Sequence, residues 1–356
     1  MYTLKIQKIL NEINRLNIPA EKVKLLKKAI AIADENEDIE WGYDLRLILI
    51  DTERDLAFSN ESIPAFAWLL QAYEQHPDIF DENDFLWQYK WMMSELYDNP
   101  KVSREQIENA LEDFKMRLQR NGYGIRAYYN ELFNDCIVQK NITALDHAMQ
   151  EVNNVPRDGM SDCEACEMDA EVTAFLYTRG FDEAYKKALP LLDKQYTCLH
   201  VPMRTLVNLC YAAYKNNREE VAASLYPKCQ DEISKLANDT SVLLSAIKLS
   251  VYMSAKHPKE AHKWIDKYLP LADGPQNRLL FSFSMYLIEA LQLLEDGLIF
   301  TVDLPEHHSL YQPSKNQFTK EELLAHYLPL AKNIAQQFDE RNSNDNFMRQ
   351  YQELIS

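Results

Sequence analysis

A chain of 356 residues carrying 55 acidic and 38 basic side chains, for a formal net charge of −17, repels phosphate backbones and anionic lipid, which bind through Lys and Arg. Nucleic acid and membrane are therefore poor partners, and a basic protein or peptide is a natural one, although acidic helices are also simply soluble. Only 7 residues are Gly, roughly 2% against an average near 7%, too few for the tight turns of sandwiches, barrels and nucleotide-binding α/β folds. Strand-like alternation is scarce, and the expected class is all-α.

Residues 1–35 read as an N-terminal helical cap, with amphipathic helices near 3–16 and 20–34 broken at Asn17-Ile18-Pro19. The first of these lacks the apolar run and small-residue cleavage site of a signal peptide. Helix pairs follow over 36–272: 38–57 with 61–75, 83–97 with 103–120, 124–139 with 141–153, and 163–179 with 182–194. Two more pairs are 202–215 with 217–236 and 239–255 with 258–271. Ser103 and Gln106 are spaced as a capping box. Over 273–356 a long helix near 276–296 precedes an irregular insert near 297–317, a helix near 319–340 and an acidic, Asn-rich tail. The most apolar stretch, Leu279 to Leu294, contains Glu289 and is too short to span a bilayer. Six cysteines with no secretion signal suggest reduced thiols. The expected compartment is a bacterial or viral cytoplasm.

One phrase recurs about 37–40 residues apart: Gly180-Phe181-Asp182-Glu183-Ala184, Asn217-Arg218-Glu219-Glu220-Val221 and His257-Pro258-Lys259-Glu260-Ala261. Each places a turn former before an acidic first helical turn and then an inward apolar residue. A helix pair of that length cannot bury its own apolar face, so units of this kind stack. The pattern resembles tetratricopeptide-like (TPR-like) helical repeats, with the Glu-Ala pairs at 183–184 and 260–261 fitting the start of a second helix. The Leu-Gly step of the strict repeat is absent, and its later aromatic position is Ala188, Leu225 or Ile265. A HEAT-like or irregular α-solenoid also accommodates this. The resemblance implies an elongated, right-handed superhelix whose concave groove binds a protein or peptide.

Asp162-Cys163-Glu164-Ala165-Cys166 and Cys198-Leu199-His200 are the sharpest local feature. Cys163 and Cys166 fall on one face of a helix start, and Cys198 follows almost one repeat later, so stacking brings it towards them. Cys163, Cys166, Cys198 and His200 would close a tetrahedral structural Zn2+ site, with Asp162 a further candidate ligand. Reduced cysteines packed as small apolar groups, or a redox pair, are the other readings. Cys136, Cys210 and Cys229 sit in helical patterns and read as core. His307 and His308 lie in the irregular insert and read as a solvated loop.

In TPR-like stacks the first helix of each pair lines the concave side. Two first helices carry the same i, i+4, i+7 triplet: Arg126, Asn130, Phe133 and Arg204, Asn208, Tyr211. Asn can bond a main-chain amide both ways, Arg can grip a carboxylate, and the aromatic supplies a wall. Trp87 and Trp91 would extend that groove one repeat earlier, unless they and the triplets serve the core. The common catalytic signatures H-E-x-x-H, G-x-S-x-G, G-x-x-x-x-G-K-[ST] and G-x-G-x-x-G are absent. The expectation is a non-catalytic binding protein akin to peptide-sensing regulators. The rivals are an immunity or sequestering protein that masks a basic toxin, and a metal-dependent enzyme using the cysteine/histidine cluster.

Overall fold

Local capping chemistry sets several of the helix boundaries in the computed structural model, which describes residues 1–236 and 240–356. The expected helix start at 239 lies outside the described residues. The cap comprises α1 (Tyr2–Ile13) and α2 (Pro19–Glu35), the latter opened by Pro19, whose missing N–H costs nothing in a first turn. Next come α3 (Ile39–Glu53) and α4 (Ser62–Gln75), then α5 (Leu86–Asp98) and α6 (Arg104–Asn121). The Ser103/Gln106 box forms as expected, and Gly122 ends α6 at φ 76°, a left-handed conformation that favours glycine. The succeeding pairs are α7 (Ile125–Gln139) with α8 (Ile142–Asn154), and α9 (Glu164–Thr178) with α10 (Phe181–Leu192). After them stand α11 (Met203–Lys215) with α12 (Glu219–Lys235), and α13 (Leu243–Lys256) with α14 (Pro258–Tyr268). The chain closes with α15 (Arg278–Gln292), α16 (Lys320–Asn342) and α17 (Asn346–Ile355). Among the described residues no helix is long and apolar enough to cross a membrane.

The protein is all-α. Each odd-numbered helix from α3 to α15 packs on the even-numbered helix that follows it, and the odd helices also touch one another in an unbroken row from α3 to α15. That order is compatible with a helical repeat fold. Ala184 and Ala261 of the recurring phrase are fully buried; the expected inward residue of the middle phrase, Val221, is only half-buried, and the buried residue is Ala222, one position beyond the phrase. Small side chains at these points let paired helices approach closely. Two large apolar clusters result, one built from α1–α6 and the start of α7, the other from α9–α17.

Three features depart from the expected arrangement. The insert carries a two-stranded antiparallel hairpin, β1 (Ile299–Thr301) with β2 (Gln317–Thr319), in which Phe300 faces Phe318. At three residues each, these strands are too short to leave a period-2 signal. The tail folds as α17, whose Phe347 and Tyr351 are buried one turn apart, and Asp339 of α16 accepts the N–H groups of Phe347 and Met348 at 2.9 and 2.7 Å. Finally, the two halves meet directly, beyond nearest-neighbour stacking. Arg278 pairs with Asp98 at 2.5 Å, and Arg341 of α16 donates to the carbonyls of Tyr97 and Asn99 at the end of α5, both at 3.0 Å. A cation there suits the negative end of the helix dipole. Phe58, from the α3–α4 connection, belongs to the C-terminal apolar cluster. A Cβ on Gly274 would lie 2.3 Å from the Phe58 ring, so a side chain at 274 would break this contact.

Candidate functional site

Between α5, α7, α9, α11 and α15 lies an open groove of about 410 Å³, within the roughly 300–1,000 Å³ of small-ligand sites. Trp91, Asn130, Arg204 and Asn208 line it. The other residues expected on this face are placed differently. Arg126 is 7% exposed; it donates to the Val152 carbonyl at 2.6 Å and to that of Val155, and pairs with Glu167 at 2.8 Å. It therefore ties α7 to the α8–α9 junction. Phe133 is buried against Leu145 and Met149, and Trp87 packs on Trp91 beneath the Lys90 ammonium. The Tyr211 hydroxyl donates to Glu289 at 2.8 Å.

Most charges on the groove wall are already paired: Asp98 with Arg278 at 2.5 Å, Asp162 with Lys90 at 2.7 Å, and Asp169 with Arg204 at 2.9 Å. The two asparagines are also anchored. Asn130 donates to Asp162 at 2.9 Å, and the Asn208 amide oxygen accepts from Lys248 at 2.6 Å. Glu131 differs. It is 2% exposed, one of its oxygens takes only a 3.4 Å contact from Asn134, and Oε2 has no partner. Burial first, then the nearby Asp162, pushes its carboxyl up to about 8 against the opposing pull of Lys90. The buried hydroxyl of Tyr97, on the same wall, also lacks a partner. On the α9 side, Tyr177 is 37% exposed, yet desolvation raises its pKa, and desolvation likewise lowers that of Lys248.

Sequence reasoning missed Glu131, Tyr97 and Arg278. For Glu131 the available signal was the density of polar residues at 130, 131, 134 and 135 beside the apolar and aromatic residues of one helix, since so many polar groups on an inner helix need a reason.

At the rim of the groove, the sulfurs of Cys163, Cys166 and Cys198 all lie within 4.8 Å of one another. Cys163 is the N-cap of α9 and its sulfur accepts the Cys166 N–H at 3.4 Å. Cys198 sits in a tight turn closed by its own N–H to the Val201 carbonyl at 2.9 Å. Burial pushes the Cys166 thiol up. At Cys198 burial acts the same way but is outweighed by hydrogen bonds from Cys163, the Leu199 backbone and Cys166, so its pKa is lowered. Tetrahedral zinc with bonds of about 2.3 Å separates its sulfurs by roughly 3.8 Å, so this trio fits one metal ion. His200 is outside the group: its Nε2 bonds the Ser241 hydroxyl at 2.8 Å. Asp162 is held by Lys90 and Asn130. Cys210 and Cys229 are fully buried, as expected of core, and Cys136 is half-buried. Of the histidines in the insert, His307 is exposed and pairs with Asp273 at 2.9 Å, whereas His308 is buried, its Nδ1 accepting the Leu310 N–H at 3.1 Å. Comparison with known protein families, with curated proteins and with solved structures finds no match for this chain.

Proposed function

We propose that this protein is a TPR-like α-solenoid whose inner groove holds a short peptide or the end of a protein partner, with no catalysis of its own. The supporting observation is the groove itself, in which Trp91, Asn130, Arg204 and Asn208 come together from three helices around a volume of ligand size. An aromatic wall, two amides and a half-exposed guanidinium are the groups that read an extended chain. The Glu131 carboxyl, whose Oε2 has no partner, offers a hydrogen bond to a polar ligand group, and the acidic surface favours a ligand bearing an amine. Sequestration of a basic toxin uses the outer helices instead, and a metal-dependent enzyme requires turnover at the cysteine cluster.

Equilibrium dialysis against a library of tripeptides, with free and acetylated N-termini, tests the groove. Wild-type protein retains a subset, richer in free amines. Asn208→Ala weakens retention by about 1–3 kcal/mol, because it removes the amide and leaves a ligand group unpaired. The control Lys186→Ala, at an exposed position of α10, leaves retention unchanged. No retention by wild type, or equal retention by Asn208→Ala, contradicts the reading. The cysteine trio, in the same account, holds zinc; the convergence of its sulfurs is what supports that.

A further inference from the structure

We propose that Cys163, Cys166 and Cys198 bind one zinc-class divalent ion through three thiolates and leave its fourth position open beside the groove, for a thiolate or imidazole carried by the bound ligand. This rests on the metal reading given above and replaces a closed structural site with an accessible one.

Zinc prefers four ligands, and three protein ligands leave one position for an outside donor. The converging group contains the three sulfurs and no His, Asp or Glu among the described residues. The nearby candidates for a fourth ligand are committed elsewhere. His200 bonds Ser241, Asp162 bonds Lys90 and Asn130, and Glu167 bonds Arg126 and Arg157. The open side has access, since Cys163 and Cys198 are exposed and Cys166 itself lines the groove next to Arg204 and Asn208. A divalent ion with three thiolates carries one net negative charge. Arg204, which also pairs with Asp169, lies near enough for its positive charge to favour that arrangement.

The test is titration of the whole, metal-stripped protein with Co2+, its thiols kept reduced by a phosphine, reading the thiolate-to-cobalt charge-transfer and ligand-field absorption. Wild type takes up one equivalent, Cys166→Ser binds at least tenfold more weakly, and His200→Ala binds as wild type does. Free imidazole, added as a probe, then shifts the ligand-field bands, showing a fourth position that it can enter. Cobalt uptake with bands that imidazole does not move overturns the open position while leaving the metal site standing. A loss in His200→Ala equal to that in Cys166→Ser does the same. Absence of cobalt uptake by wild type overturns the metal reading itself. Melting curves of both variants confirm that each is folded.

Discussion

Arg126→Ala is expected to lower the unfolding free energy by about 2–4 kcal/mol, somewhat less than the cost of stranding a buried charge because Glu167 keeps Arg157. Both partners are shielded, with side-chain exposures of 8% for Arg126 and 11% for Glu167. Two backbone carbonyls of the α8–α9 junction lose their donor as well. Arg204→Ala, at the matching triplet position, removes a side chain that is 45% exposed and leaves the buried Asp169 with the Thr205 hydroxyl, so solvent screening only reduces its cost, to about 1–2 kcal/mol. Chemical denaturation of the two variants side by side measures the difference. Equal and small losses would return Arg126 to the groove face; a large loss only at 126 fixes it as a structural tie.

Glu131→Gln should stabilise the protein, and by an amount that depends on pH. The groups facing Glu131 are Lys90 and Tyr97 from α5, Asp162 before α9, and Asn134 and Asp135 on its own helix. Burial and the two aspartates outweigh the single lysine, so its pKa rises from 4.5 to about 8 in the folded protein. A carboxyl raised in this way favours the fold fully below its unfolded pKa and loses that contribution as pH climbs to the folded value. Wild type and Glu131→Gln should therefore be nearly equal near pH 4. They diverge through the window from about 4.5 to about 8, and the gap levels off on the order of 5 kcal/mol above it. Denaturation midpoints of both proteins at pH 4, 7 and 9 check this. Parallel profiles would mean that the carboxyl is paired or solvated.

Helix existence was legible because it is written locally, in apolar spacing and in turn formers such as Asn17-Ile18-Pro19 and Gly122. The approach of Cys198 to Cys163 and Cys166 was legible too, because one repeat of offset brings equivalent positions together. His200 was not, since the turn closed between Cys198 and Val201 leaves its ring bonded to Ser241. The closure of the two halves left no trace in any local window: Asp98 and Arg278 are 180 residues apart. The two Arg/Asn triplets look alike in sequence and differ in outcome. Only Arg126 has the carbonyls of Val152 and Val155 within reach, and only the second triplet ends in a hydroxyl, which Glu289 accepts.

Hydrogen exchange of the protein with and without the most strongly retained tripeptide tests the central claim, that the inner groove is the binding face. Added protection is expected on α7, α9 and α11 and at the end of α5, where the residues lining the groove reside, with α6, α8, α10 and α12 unchanged. Protection confined to those four outer helices would contradict it and place the partner on the convex side.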